Sequence, residues 1–101
     1  IKPEGITELL SAATGLDFSL EEVCKAGERI FNAERLFLSR AGFSRKDDTL
    51  PPRIVSEPMP NGPAKGMVCR LEEMLDEYYR LRGWDADGIP TEKKLRDLEL
   101  V

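Results

Sequence analysis

Between Arg70 and Thr91 the chain runs Arg-Leu-Glu-Glu-Met-Leu-Asp-Glu-Tyr-Tyr-Arg-Leu-Arg-Gly-Trp-Asp-Ala-Asp-Gly-Ile-Pro-Thr, an order that few backbones accommodate. Leu71, Met74, Leu75, Tyr78 and Leu81 recur at three-and-four spacing, which predicts a helix with one apolar face. Gly83 stands where a left-handed cap would end that helix, and Trp84 is placed to fold back over the last turn. Asp85-Ala-Asp-Gly88 resembles half a calcium loop, but the further oxygen ligands, the sixth-position glycine and the glutamate at twelve are missing, so a tight turn is the better reading. Thr91 then caps a last helix through about Leu98, with Leu95 and Leu98 inward, Pro90 just outside, and Lys93 and Lys94 on the solvated side.

The same local signals organise the first half. Pro3 suits a first helical turn, where its missing N–H would be unpaired anyway, and Ile6, Leu9, Leu10 and Ala13 form a stripe before a stop at Gly15. Ser19 and Glu22 have the spacing of a capping box, with Phe18 and Val23 as its hydrophobic staple. A second helix is expected from Leu20 to about Ala41. Its stripe comprises Val23, Gly27, Ile30, Phe31, Phe37 and Leu38, with Glu34 on the same face. Gly27 weakens a helix interior by about 1 kcal/mol relative to alanine, so close contact with another backbone is the expected compensation. Glu34 is the odd residue. A carboxylate on a buried face needs a partner, and Arg35, Arg45 or Arg70 are candidates. Because no second catalytic group accompanies it, a structural ion pair or a snorkelling rim residue is preferred over a general acid or base.

After Gly42-Phe43, Asp48 or Thr49 is expected to cap a single turn begun by Pro51 and Pro52, with Leu50, Ile54 and Val55 inward. Asp47 and Asp48 alone are too few oxygens for a hard cation, and local pairing with Arg45 and Lys46 is the simpler reading. Glu57-Pro-Met-Pro-Asn-Gly-Pro-Ala-Lys-Gly66 cannot be helix interior and must cross a surface in extended or turn conformation. It lacks the glycine-lysine pair and preceding strand of a phosphate loop. The fold class that results is all-α: a small irregular bundle of about four to five helices with a long Pro/Gly-rich connection, forming a single helical domain over residues 1–101.

Composition narrows the function classes. With 101 residues and a formal charge of -4, acidic and basic residues interspersed, the chain offers no concentrated basic face for nucleic acid. No apolar run approaches the roughly 20 residues of a membrane span, and no signal-peptide pattern opens the chain. It starts at Ile1 rather than methionine, so a piece of something longer is an open reading. There is no histidine, which removes serine- or cysteine-histidine catalysis and histidine-ligated metals. Cys24 and Cys69 are too few for an iron–sulfur cluster, which normally takes four thiolates, and small buried hydrophobes are preferred over a disulfide.

Longer blocks carry a family resemblance. Gly-Glu-Arg-Ile-Phe-Asn-Ala-Glu-Arg-Leu-Phe (27–37), Gly-Phe-Ser-Arg-Lys-Asp-Asp-Thr-Leu-Pro-Pro-Arg (42–53), Asn-Gly-Pro-Ala-Lys-Gly (61–66), Glu-Tyr-Tyr-Arg-Leu-Arg-Gly-Trp (77–84) and Gly-Ile-Pro-Thr (88–91) resemble, in order, the C-terminal region of tungsten-containing aldehyde:ferredoxin oxidoreductases. The resemblance covers essentially the whole chain. It implies a parent with a tungsten (or molybdenum) bis-pterin cofactor and one 4Fe–4S cluster, oxidising aldehydes to carboxylic acids in the cytoplasm with ferredoxin as acceptor, with a homodimer as one possible assembly. The family's cluster cysteines and pterin motifs precede the region matched. No catalytic, cofactor-binding or metal-ligating residue is therefore expected in this chain, and by itself it should be inactive. Its expected partner is the remainder of the parent enzyme, with no nucleic acid or membrane.

Two other classes compete. An autonomous helical interaction module or complementing subunit could use Phe37, Phe43, Trp84 and the proline-rich stretch as an apolar face; it should close most of its core, whereas part of a larger enzyme should expose an interface-sized patch. A small hydrolase needs a paired acid and base, for which lone Glu34 leaves little room.

Overall fold

Caps and stops place the helices where the sequence puts them. The computed structural model describes residues 1–101 and contains α1 (Pro3–Thr14), α2 (Leu20–Arg40), α3 (Pro52–Ser56), α4 (Leu71–Arg82) and α5 (Glu92–Asp97), plus a 3₁₀ turn at Arg45–Asp47. The chain forms no sheet beyond two isolated bridges, so the all-α class holds. α1 begins at Pro3 and ends at Gly15 in the left-handed region. The Ser19 N–H donates to the Glu22 carboxylate at 2.8 Å and the Glu22 N–H donates to Ser19 Oγ at 3.1 Å, closing the capping box that starts α2. α1 and α2 lie against each other, tied by the Phe18 N–H donating to Ser11 Oγ at 3.1 Å.

The end of α4 behaves as its sequence requires. Gly83 adopts φ 72°, its N–H donates to the Arg80 carbonyl, and the Trp84 N–H donates to the Tyr79 carbonyl at 2.9 Å. Asp85 accepts from the N–H groups of Asp87 (2.9 Å) and Ile89 (3.0 Å), so its side chain holds the turn. Trp84 bridges antiparallel to Pro90, and Thr91 Oγ1 accepts from the Lys94 N–H to start α5. Trp84, Leu95 and Leu98 are buried.

Packing departs from the periodicity on both long helices. The covered side of α2 carries Glu28, Asn32, Arg35, Leu36 and Ser39, while Ile30 and Phe37 are 63% and 72% exposed. On α4 the buried residue is Tyr79; Met74, Tyr78 and Leu81 face outward, with Leu71 and Leu75 half-buried. Periodicity identifies an apolar face without saying which neighbour covers it. The polar sides found partners within the chain, and the apolar sides are covered only in part.

Other expectations fail for the same reason. Gly27 meets nothing within 4 Å, so no backbone approaches it. Cys24 is exposed and Cys69 half-buried, both free. Leu50 and Ile54 are exposed, with Val55 half-buried, because α3 has no helix packed above it. α3 takes Pro51 as its N-terminal flank with no side-chain cap, since Asp48 is engaged elsewhere. Residues 51–69 form an arm whose backbone hydrogen bonds all stay within it, among them Met59 N–H to the Met67 carbonyl and Cys69 N–H to the Ile54 carbonyl.

The outcome is an open bundle. Its radius of gyration is 17.8 Å, against about 13 Å for a self-contained domain of this length. Its accessible surface is 7738 Å², about 2,000 Å² beyond the roughly 5,800 Å² expected of a folded monomer of this mass. No helix is long and apolar enough to cross a membrane.

Candidate functional site

The one cluster of buried polar chemistry lies where α2, the 3₁₀ segment, the end of α4 and the 85–88 turn converge. Arg35, its side chain 11% exposed, grips the Asp48 carboxylate with both terminal nitrogens, Nη1 at 2.8 Å, while Nε donates to the Gly88 carbonyl at 2.7 Å. The Tyr79 hydroxyl donates to the same carboxylate. Every N–H direction of the guanidinium fork that reaches this site is occupied, a bidentate geometry that lysine could not reproduce. Gly88 is required there. A Cβ on it would stand 2.5 Å from Arg35 Nη2 and 2.8 Å from Tyr79 Cζ, and φ is 75°.

Beside it lies a second layer. Asn32 is fully buried: its Oδ1 accepts from the Trp84 indole N–H at 2.8 Å and its Nδ2 donates to the Glu28 carbonyl at 2.9 Å. Glu28 pairs with Arg82 and, at 3.0 Å, with Lys94, joining α2 to α4 and α5. The Arg82 guanidinium lies over the Phe31 ring at 4.2 Å and Arg35 over Trp84 at 4.9 Å. Arg45 completes the frame by pairing with Glu72 and Asp76 on α4.

Electrostatics suit this cluster to a latch. Burial works against ionisation of Asp48, but hydrogen bonds from Arg35 and Tyr79 and the guanidinium charge outweigh it and hold the carboxyl below its usual range. Burial, with the Asp48 carboxylate next to it, pushes the Tyr79 hydroxyl up to about 12. Tyr79 therefore stays a donor and Asp48 an acceptor through the physiological range. For Glu28, burial is likewise outweighed, by the Lys94 hydrogen bond and the Arg82 and Lys94 charges, so its carboxyl is held low.

Above the latch is a pocket of about 350 Å³, lined by Phe31, Leu38, Leu50, Leu75 and Tyr78 with Arg35, Asp48 and Tyr79. Glu34 stands at its edge. It is exposed and makes no ion pair, so the expected pairing with Arg35, Arg45 or Arg70 is not made within this chain: Arg35 belongs to Asp48, Arg45 to Glu72 and Asp76, and Arg70 to Glu73. Asp48 likewise pairs with Arg35 in place of Arg45 or Lys46, whereas Asp47 accepts from the Ser44 N–H at 2.9 Å. Of the aromatic residues singled out at the end of α4, Tyr79 and Trp84 are core and Tyr78 opens to the pocket. Sequence reasoning did not join Arg35, Asp48, Tyr79 and Gly88, which lie up to 53 positions apart; the Asp-Gly turn was the only local signal. No three of the chain's Cys, Asp and Glu side chains converge in a metal-binding group, so its donor set does not fit tungsten or an iron–sulfur cluster.

A family model described as "Aldehyde ferredoxin oxidoreductase, domains 2 & 3" matches residues 1–100. The chain belongs to the aldehyde ferredoxin oxidoreductase family. It is 57% identical over 95 residues to the tungsten-containing aldehyde ferredoxin oxidoreductase of Pyrococcus horikoshii, covering 93% of this chain and 16% of that protein. With the Thermococcus kodakarensis enzyme of the same name it shares 60% identity over 88 residues, 85% of this chain and 14% of that one. The match falls in the C-terminal part of these relatives, and the chain spans about a sixth of their length. Among solved structures, a chain of the "Active site complex BamBC of Benzoyl Coenzyme A reductase in complex with 1,5 Dienoyl-CoA" superposes with a TM-score of 0.79 at 31% identity, over 99% of this chain and 14% of that one. The open shape is thus shared with the corresponding segment of that much longer chain.

Proposed function

We propose that residues 1–101 form one helical domain that closes a tungsten- or molybdenum-dependent oxidoreductase, packing behind the cofactor-bearing part and contributing no catalytic, cofactor-binding or metal-ligating residue. The parent oxidises aldehydes to carboxylic acids in the cytoplasm with ferredoxin as acceptor. Its bis-pterin metal and single 4Fe–4S cluster are held by residues outside this chain, and it works as a homodimer. The observation that carries this reading is the identity of up to 60% to tungsten-containing aldehyde ferredoxin oxidoreductases over most of the chain. The relation to a benzoyl-coenzyme A reductase component supports it further: one segment serves proteins with differently named activities, as expected if substrate choice resides elsewhere.

The test is a divided enzyme. The upstream part expressed alone should oxidise no aldehyde, and co-expression with the 101-residue chain should restore turnover. The segment purified anaerobically should carry neither tungsten nor iron–sulfur absorbance. Stoichiometric metal on the segment, or full turnover by the upstream part without it, would overturn the reading.

A further inference from the structure

Ile30, Phe31, Glu34, Phe37 and Leu38 share one side of α2. At about 100° per residue the four apolar members span an arc of roughly 120°, with Glu34 near its middle. All five are exposed, Phe31 at the margin where one side of its ring meets Trp84 and Arg82, and the Glu34 side chain has neither a hydrogen bond nor an ion pair within this chain. The opposite side of the helix is already committed to α4 and α5 through Glu28, Asn32 and Arg35. A stripe this apolar does not stay in water, and a carboxylate in its middle is not covered without a partner.

We propose that this face of α2 seats the preceding part of the same polypeptide, and that this part inserts a lysine or arginine side chain opposite Glu34. The proposal rests on the reading of the chain as the C-terminal segment of a longer enzyme. Three observations select the occupant. Relatives are about six times as long as this chain, so most of the polypeptide is available to cover the face. The segment keeps its open shape in the longer chain of the benzoyl-coenzyme A reductase complex, so the stripe is not exposed by a collapse peculiar to this chain. A second copy docked by the same face about a two-fold axis would bring Glu34 towards its own symmetry mate, setting like charges together in an apolar seam.

The experiment uses the full-length enzyme, with carbodiimide labelling of carboxylates read by mass spectrometry and thermal unfolding of Glu34→Gln, Glu34→Lys and Glu34→Leu. Glu34 should resist labelling in the folded enzyme and react once it is unfolded. The melting midpoint should fall by about 2–4 °C for Glu34→Gln, fall further for Glu34→Lys, and not rise for Glu34→Leu. If Glu34 resists labelling but Glu34→Leu stabilises the enzyme, the face is covered without a cation and the proposal fails while the segment reading stands. If Glu34 labels freely in the folded enzyme and none of the variants shifts the midpoint, the face is open and the proposal fails with the packing it assumes. Failure of the divided-enzyme test, by contrast, would sink the segment reading itself.

Discussion

At the corner between α2, α4 and α5, each buried polar side chain finds its partner inside the chain, whereas residues 51–69 keep their backbone hydrogen bonds to themselves and leave Ile54, Met59 and Met67 in the open. Both regions belong to one chain, and the arm begins just after Asp48. What separates them is whether the chain itself supplies the partner. The corner joins residues contributed by α2, the 3₁₀ segment and the 84–90 turn, all within this chain. The arm and the outer side of α2 carry apolar surface that nothing within the chain covers. A corner residue should therefore matter wherever the segment is placed, and an arm residue only when the rest of the enzyme is present.

The largest effect is expected at Gly88. Gly88→Ala puts a methyl group against Arg35 and Tyr79 at a positive φ, and should cost about 3 kcal/mol or more in the 101-residue chain and in the full-length enzyme alike. Equal denaturation midpoints for wild type and variant in either setting would contradict the latch. Asp48→Ala comes next. It leaves the Arg35 guanidinium largely covered without its carboxylate, for a loss of about 2–3 kcal/mol by urea unfolding. If Asp48→Ala were neutral while Arg35→Ala was costly, the arginine would be acting through Trp84 and Gly88 alone.

The same cluster sets a pH dependence. Asp48 and Glu28 have folded pKa values below their unfolded ones, so their contribution is present above about pH 4 and is lost as pH falls through the folded values. Tyr79 is shifted the other way. Its contribution is complete below about pH 10 and is lost as pH rises towards about 12. Tyr79→Phe should flatten the alkaline limb and leave the acid limb in place; an unchanged alkaline limb would place the titration elsewhere.

Smaller effects separate local from tertiary causes. Ser19→Ala removes the α2 cap and should cost about 1 kcal/mol in both settings, read by circular dichroism during melting. Ile54→Ala should change the 101-residue chain by less than about 0.5 kcal/mol, since the side chain is already exposed, yet lower the stability of the full-length enzyme measurably. The same small change in both settings would mean that the arm stays in solvent in the parent too.

How much of this was legible follows from the same contrast. Gly15, the Ser19–Glu22 box, Gly83 and Thr91 act within four residues of themselves, and the helix ends they define are the ends observed. The stripes on α2 and α4 were legible as apolar faces. Turning them inward assumed that the chain supplies its own cover, and the exposed Phe37 and Leu81 show that it does not. Tyr78 and Tyr79 are neighbours of the same type, and the buried one is Tyr79, which meets Asp48, Gly88 and Trp84, all distant in sequence from α4 or beyond its end. A paired Glu34 and an inward face are one expectation, since both follow from a single assumption about what lies opposite α2.

Trp84 is the chain's sole tryptophan, and it sits stacked on Phe31 under the Arg35 guanidinium. Its indole emission is consequently a private signal of the corner. Undoing the latch lets water and mobile charge reach the ring and shifts the spectrum to longer wavelength. Movement or capture of the arm leaves the spectrum untouched. One optical channel can thus follow the self-sufficient half of the segment while its dependent half is being assembled.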